Sequence, residues 1–430
     1  MTKHQKEVFD KLQEDPSRVV VFTGAGGTGK TTTIAKFIKS LPASVSVMLT
    51  STTHQAMSVL REMIPRRHAC SVSTSTIHKF LDYVVMNVNG KEVLRKNEDA
   101  AGSYQASYDY LIIDEMSMLP REILKEIMDG DLDDRIRSKI IFVGDPCQLK
   151  VDMFLDFSRI PTYELEENMR QDKDSELYKY CDELRSSIKK NGSPIMIPGI
   201  PGEIDIYYSH DKFLSEYKKC ETDKVILAYM NKTVSAYNRN IKKYVHKKSL
   251  YSEGDKIIVT GPVKRKTPGG KSVSIFNNRE RLTIKRVKTN FNEVTEPDEV
   301  DPMFEIEHTE LDVVNSKGKS GTIYVPKTKT KLDKLLEEYK LKRDWSNFYK
   351  LKETYNFVHH SYALTTYMAQ GSTYEEVFID LSDFTPPNDP AYQTLMSLVY
   401  VAMTRAKKRV HIYMGDSSAR DYGSLEKDIS

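Results

Sequence analysis

The sequence predicts an α/β protein built on a parallel sheet with helices on both faces. Three observations lead there. Short apolar runs alternate with helical stretches through the first 170 residues. The runs end in glycines or polar residues, as they do where ligands gather at the carboxyl ends of parallel strands. The same alternation resumes after Arg170 and again near Glu376, with short β runs between.

Residues 18–23 form an apolar run that ends in a glycine loop. Residues 31–41 follow with apolar side chains at helical spacing (Ile34, Phe37, Ile38, Leu41), and Pro42 stops them. Residues 45–49, 110–113 and 139–143 read as three further strands. Residues 84–94 differ. Apolar residues there flank Asn89-Gly90, the strongest short hairpin signal, so a small inserted β-hairpin is expected. Later, residues 224–229 read as a buried strand and 232–245 as its helix. Residues 250–330 change to short β runs at 256–259, 282–284, 303–306 and 322–325, the pattern of a small inserted β domain. Residues 331–355 look helical and charged. The α/β pattern returns at 376–380, and the last strand is 410–413.

A chain of 430 residues has room for roughly two to four domains. No apolar run approaches the ~18 residues of a membrane span, and the N-terminus lacks a signal-peptide core. A cytoplasmic protein with no membrane partner is expected. Cys70, Cys147, Cys181 and Cys220 are scattered with no Cys-x-x-Cys pair, which points to reduced thiols and away from a zinc site or an iron–sulfur cluster. The net charge of +3 gives no argument for nucleic acid by itself. Its distribution is uneven: residues 261–288 carry nine Lys/Arg, and 293–312 carry nine acids. Solvated loops produce such runs as readily as binding faces do.

The motifs carry the chemistry. Gly24-Ala25-Gly26-Gly27-Thr28-Gly29-Lys30-Thr31 matches G-x-x-x-x-G-K-[ST] after a strand and before a helix, the context that makes the match specific. Glycines let backbone N–H groups wrap phosphates at a helix N-terminus. Lys30 would pair with the β- and γ-phosphates, the Thr31 hydroxyl would bind Mg²⁺, and Thr32 completes the phosphate-binding set. Asp114 ends an apolar strand and would also hold Mg²⁺. Glu115 would take the proton from the attacking water. Gln148, in Gly144-Asp145-Pro146-Cys147-Gln148, presents an amide placed to sense the γ-phosphate or orient water. Arg170, in Asn168-Met169-Arg170-Gln171, and Arg405, in Tyr400-Val401-Ala402-Met403-Thr404-Arg405, are candidate arginine fingers. A guanidinium can contact two oxygens of a transferring phosphoryl group. An arginine so far downstream of the phosphate loop implies a second domain reaching the same nucleotide. Gln5 carries a donor–acceptor pair that fits the adenine edge. The expected ligands are ATP and Mg²⁺.

As an ordered set these motifs resemble a superfamily 1 helicase, and within it the RecD-like branch that includes the Dda-type phage helicases. The residues that carry the resemblance are Thr76-Ile77-His78, Ile113 to Met118, Gly144-Asp145 with Gln148, Gln370-Gly371-Ser372-Thr373, and Tyr400 to Ala406. The fold implied is two RecA-like P-loop domains, with a β-hairpin in the first and an SH3-like β-barrel in the second. Phe276-Asn277-Asn278 resembles the start of that barrel. The boundaries implied are 1–170 for the first domain with its hairpin at about 82–107, 171–249 with 358–430 for the second, and 250–357 for its insert. The resemblance assigns Thr52, Thr53, His54, Ser75, Thr76 and His78 to contacts with single-stranded DNA. Thr365, Thr366 and Gln370 resemble their second-domain counterpart, and Gln370 with Gly371 is also assigned to the nucleotide. Such short polar side chains suit phosphate and sugar contacts without base readout. Val93 and Leu94, beyond the hairpin turn, take the place of a strand-separation pin.

Two departures stand out. Thr52 replaces a proline usual in the branch, and Tyr367-Met368 replaces a usual His-Lys. The resemblance implies an ATP- and Mg²⁺-dependent DNA helicase, 5′→3′ on a single strand, acting in replication, recombination or repair. Its partners would be single-stranded and fork DNA and a single-strand-binding or replication protein, and it would work as a monomer. Two rivals stay open: a translocase that displaces bound proteins with little unwinding, and an NTP-dependent switch or kinase that does not act on DNA.

Overall fold

The computed structural model describes residues 2–52, 57, 60, 64, 69–88, 91–97, 107–129, 135–148, 160–166, 174–190, 192–245, 249–266, 272–288, 306–384 and 392–416, with backbone alone at 85–88, 91–94, 245, 266 and 272. They form two compact units, Met1–Met230 with Thr365–Ser430, and Asn231–Leu364.

The first unit opens with α1 (Lys3–Glu14). The N–H of Gln5 donates to Thr2 Oγ1 and the N–H of Thr2 donates to Gln5 Oε1, a reciprocal cap. There follow β1 (Val19–Gly24), α2 (Lys30–Ser40), β2 (Ser46–Ser51), β3 (Ser71–Thr76), α3 (Ile77–Phe80), β4 (Tyr83–Val88), β5 (Lys91–Lys96), β6 (Tyr108–Asp114), α4 (Arg121–Met128), β7 (Ile136–Gly144) and β8 (Thr162–Leu165). Six of these strands make one parallel sheet in the order β3-β2-β6-β7-β1-β8. Its central strands are apolar on both faces. Val20, Phe22, Ile112 and Ile141 pack on one side, and Val21, Ile113, Ile140 and Phe142 on the other. Strands β3 and β8 went unrecognised in the sequence because they are edges. Ser71-Val72-Ser73-Thr74-Ser75-Thr76 keeps only Ser75 buried.

Strands β4 and β5 pair antiparallel, with Val88 opposite Lys91. Asn89 and Gly90 lie outside the described residues. The root of the pair is anchored on α4, where Glu126 accepts from Tyr83 Oη at 2.9 Å and from Lys96 Nζ at 2.7 Å.

The unit continues with α5 (Glu176–Lys189), β9 (Ile204–Tyr207), α6 (His210–Lys219) and β10 (Lys224–Ala228). The chain then builds the second unit from α7 (Asn231–Val245), β11 (Lys256–Val259), β12 (Val263–Lys266), β13 (Ser272–Phe276), β14 (Arg281–Lys288), β15 (His308–Asn315), β16 (Ser320–Pro326), α8 (Lys329–Leu341), α9 (Trp345–Thr354) and β17 (Val358–His360), and β18 (Ala363–Thr365) carries it back into the first. It returns with β19 (Tyr374–Asp380), α10 (Gln393–Met403) and β20 (Ala406–Tyr413). These complete a second parallel sheet containing β10-β19-β20-β9.

In the second unit an antiparallel sheet, β16-β15-β14-β11-β17, closes on Ile257, Leu282, Leu311, Val313 and Ile323. Helix α7 belongs to this unit. Asn238 exchanges two 2.9 Å hydrogen bonds with the Ala363 backbone, and buried Lys242 is paired with buried Asp255. The run expected at 303–306 lies outside the described residues except for Ile306, which is buried. The helical stretch expected at 331–355 is two helices. The break falls at Arg343, whose φ of 57° is left-handed. Leu332 and Leu351 then pack in one cluster. Among the described residues no helix is long and apolar enough to cross a membrane.

Candidate active site

Sheet order gathers the motif residues. β6, β7 and β1 are neighbours, and they end in Asp114, Gly144 and Gly24. On the far side of β6, Ser51 is the register partner of both Asp114 and Thr76. Phosphate chemistry and the expected strand contacts therefore share one edge of one sheet, as is usual for parallel α/β folds.

The glycine loop is tightly built. A Cβ on Gly24 would lie 2.5 Å from Thr28 Oγ1 and 2.8 Å from Leu165 O. Gly27 and Gly29 have φ of 91° and 85°, where a side chain is strained. Gly29 caps α2, so the helix begins at Lys30, with Thr31 and Thr32 in its first turn. Thr28 Oγ1 donates to Ala25 O at 2.9 Å. Lys30 Nζ donates to Gly24 O at 2.7 Å and Ala25 O at 3.0 Å, closing the loop into a ring beside Gly26. Burial pulls the Lys30 pKa below the lysine range, and Asp145, Glu115 and Asp114 offset this only in part.

Asp114 ends β6 half-buried. Burial, reinforced by Glu115, pushes its pKa up to about 7 against the pull of Lys30. Glu115 adopts φ 55° and ψ 49°, a left-handed conformation that costs a non-glycine residue about 1–3 kcal/mol. The turn continues into Met116, which sits so close to Gly144 that a Cβ there would be 2.9 Å from Met116 Cγ. Strain at Glu115 is thus fixed by packing.

Arg405 follows α10 in the second sheet and is only 2% exposed. Its Nε donates to Val401 O at 3.0 Å, Nη2 to Thr404 Oγ1 at 3.2 Å and Nη1 to Ser372 O at 3.4 Å. Burial lowers its pKa, and Glu115, Tyr400 and Asp145 oppose the shift. Glu115 and Arg405, from the two sheets, therefore lie within electrostatic reach of each other.

The residues present fit a nucleoside triphosphate with Mg²⁺. Buried polar atoms are normally partnered. Here Gln148 Oε1 and both polar ends of the Gln370 amide are buried without a hydrogen-bond partner among the described residues. Gly371 beside it has φ 78° and is open around its Cα. Among the described residues no three His, Cys, Asp or Glu cluster as a metal cage. The oxygens of Thr31 and Asp114 instead suit Mg²⁺, which is commonly held by one or two protein oxygens plus phosphates and water.

The remaining sequence-derived residues fall into three groups. Ser51 Oγ, Thr52 Oγ1 and Ser75 Oγ are buried at the ends of β2 and β3 without a partner among the described residues. Others are engaged within the protein. Gln5, 3% exposed, spends its oxygen on the Thr2 cap and donates Nε2 to Thr28 O at 3.1 Å, so it braces the phosphate loop rather than offering a free amide to adenine. Thr76 caps α3 through Lys79 N, and His78 lies half-buried on that helix. Thr365 Oγ1 accepts from Met368 N at 3.2 Å. Thr366 is fully buried, with N and Oγ1 both directed at Ala228 O. It fixes this segment rather than facing a ligand. Finally, Thr53, His54 and Arg170 lie outside the described residues, as do the side chains of Val93 and Leu94.

Three buried residues at the site were not assigned a role from sequence: Asp145, Arg185 and Tyr400. Asp145 was quoted only as part of the Gln148 motif. It is fully buried, and its carboxylate accepts from Cys147 N at 3.1 Å and Tyr400 Oη at 2.8 Å, with Arg185 Nη2 at 3.5 Å. Arg185 Nη1 also meets Glu164 Oε1 at 2.6 Å.

Known proteins resemble this chain in sequence and in fold. Residues 1–192 match the AAA domain family, and residues 360–413 match the UvrD-like helicase C-terminal domain. The chain is similar to the superfamily 1 helicases of the RecD-like branch. It is similar over 95% of its length to uncharacterized protein R530 of Acanthamoeba polyphaga mimivirus, at 23% identity and covering 98% of that protein. It is 31% identical to the ATP-dependent RecD2 DNA helicase of Deinococcus radiodurans over 35% of this chain, which spans 18% of that enzyme. Its fold resembles that of Pif1 helicase from Bacteroides in complex with ADP-AlF3 and single-stranded DNA. The TM-score is 0.54 at 12% identity, covering 100% of this chain and 96% of that one.

Proposed function

We propose that this helicase is an ATP- and Mg²⁺-dependent motor that translocates 5′→3′ on single-stranded DNA and opens forked duplex DNA. Its work would lie in replication, recombination or repair, as a monomer beside a single-strand-binding or replication protein. The observation that carries the reading is Arg405. It is buried at the end of α10, the helix whose Tyr400 Oη donates to the Asp145 carboxylate beside the first sheet at 2.8 Å. A nucleotide bound against both halves would be sensed by both.

Residues then divide the work. Lys30 leaves the Gly24 and Ala25 carbonyls for the β- and γ-phosphate oxygens. Thr31 and Asp114 hold Mg²⁺, which when bound neutralises phosphate charge. Glu115 accepts the proton of the attacking water. Arg405, and Arg170 as a second finger, would stabilise charge on the transferred phosphoryl group. Gln148 and Gln370 would satisfy their buried amides on the γ-phosphate or its water. Ser51, Thr52 and Ser75, with Thr76, His78, Thr53 and His54, would meet the DNA backbone. The register row Asp114–Ser51–Thr76 gives the hydrolysis site a short path to that contact. The antiparallel unit would be the SH3-like insert.

Polarity has a direct test. A duplex with a 5′ single-stranded tail should be unwound in ATP, and one with a 3′ tail should not. Equal unwinding of both, or unwinding of the 3′-tailed substrate alone, would overturn the proposed direction.

We assign strand separation to the β4–β5 hairpin, whose root bonds to Glu126 through Tyr83 and Lys96. Leu94→Ala should leave single-strand-stimulated ATP hydrolysis within about twofold and cut duplex unwinding by about tenfold. Withdrawing a leucine side chain from an apolar contact costs up to about 1.5–3 kcal/mol, and a tenfold loss needs only about 1.4 kcal/mol. Equal loss of both activities would make the hairpin structural, and loss of neither would place the pin elsewhere.

A further inference from the structure

Gln148 and Arg405 belong to different sheets, yet one buried acid touches the scaffolds of both. Asp145 O accepts from Gln148 N at 3.1 Å, which sets the loop that carries the glutamine amide. The Asp145 carboxylate accepts from Tyr400 Oη at 2.8 Å. Tyr400 lies in α10, where its carbonyl accepts from Thr404 N at 3.0 Å. Thr404 Oγ1 in turn accepts from Arg405 Nη2 at 3.2 Å. A chain of bonds thus runs from the Gln148 loop through Asp145 and Tyr400 to the arginine.

Arg185 keeps the chain taut. It lies on α5, 7% exposed, and reaches Asp145 at 3.5 Å and Glu164 at 2.6 Å. Glu164 lies in β8 beside the glycine loop, since Gly24 is the register partner of Leu165. Lys189 also meets Glu164, at 2.5 Å. Burial works against the Arg185 charge, but Asp145, the largest opposing influence, raises its pKa above the arginine range. Burial and Asp145 likewise raise the Tyr400 pKa well above the phenol range, so the hydroxyl keeps the proton it donates.

We propose that Asp145, Arg185 and Tyr400 form a clasp between the two sheets that positions Arg405 according to the state of the Gln148 loop. None of the three contacts the reacting atoms; they are positioning residues. The inference rests on the proposed reading of the site as a DNA-stimulated ATPase. A guanidinium held only by its own loop would sit equally well in any arrangement of the two sheets. One tied through Tyr400 to Asp145 is placed when the Gln148 loop is placed. That dependence is what couples phosphate contact in one half to the finger in the other.

The test uses Tyr400→Phe, which removes one hydroxyl and keeps the ring, together with Arg185→Gln and the double variant. Melting temperature, ATP KM, and kcat per nucleotide-binding site are measured with saturating single-stranded DNA. The clasp predicts a kcat about tenfold lower or worse in each single variant, with KM within about twofold. It also predicts a double variant no slower than the slower single, because both break the same connection. Should Tyr400→Phe melt more than about 5 °C lower, Arg185→Lys, which keeps the charge and loses the planar fork, gives the same reading. A kcat within about twofold of the unmodified protein, or effects that multiply in the double variant, would overturn the clasp. If the unmodified protein is not stimulated by DNA at all, the functional reading fails and not the clasp alone.

Discussion

Glu115→Gln is expected to bind ATP with near-normal affinity and to turn it over about 10²–10⁴-fold more slowly, the usual worth of a general base. The reason is geometric. Glu115 follows the strand-end Asp114 and is held in a left-handed turn by the packing of Met116 against Gly144. Glutamine keeps that shape and the hydrogen-bonding oxygen, and loses only the ability to accept a proton from water. Lys30 and the glycine ring, which hold the phosphates, are untouched. Binding of a fluorescent ATP analogue alongside single-turnover hydrolysis checks both halves of the expectation. Turnover close to that of the unmodified protein would remove Glu115 as the base.

Arg405→Ala is expected to lose turnover by ~10³–10⁵-fold, the range known for arginine fingers. Here the number needs a control. Arg405 is nearly fully buried and donates to Val401 O, Ser372 O and Thr404 Oγ1, so its removal also orphans acceptors at about 1–3 kcal/mol each. Arg405→Lys separates the two effects. Lysine keeps the charge but cannot supply the planar fork that spans two phosphate oxygens. A finger predicts that lysine recovers folding and little turnover, read from the melting temperature and kcat. Substantial recovery of kcat by lysine would reduce Arg405 to a buried structural cation.

Much of the local geometry of the candidate site was legible in the sequence, because each motif is local. The glycines that allow positive φ at positions 27 and 29, the lysine that starts α2, and the acid that ends β6 are all specified by neighbours within a few residues. What could not be read is whatever depends on distant partners. Arg185 lies on an amphipathic helix, where an arginine ordinarily faces water. Only the fold brings Asp145 and Glu164 to it, 40 and 21 residues away. Tyr400 sits in an almost wholly apolar helix and reads as core. Its hydroxyl finds Asp145 across 255 residues. The polar edge strand β3 failed for a related reason: it needs β2 beside it to be a strand at all, and its Ser-Thr run has no apolar period to announce it. Gln5 shows the reverse case. Its position suggested adenine, whereas the capping box with Thr2 and the bond to Thr28 O give its amide local work.

One measurement bears most directly on the reading of this site as a DNA motor. ATP hydrolysis is followed at saturating ATP and Mg²⁺ while single-stranded DNA, duplex DNA or RNA is added. The shared sheet edge that carries Asp114, Ser51 and Thr76 predicts that single-stranded DNA raises the rate at least about tenfold, a lowering of the barrier by roughly 1.4 kcal/mol. Added salt should weaken the stimulation steeply, with a log–log slope of about −0.7 per phosphate contacted. A rate indifferent to single-stranded DNA at low salt would contradict the motor and leave a nucleotide-driven switch or kinase in its place.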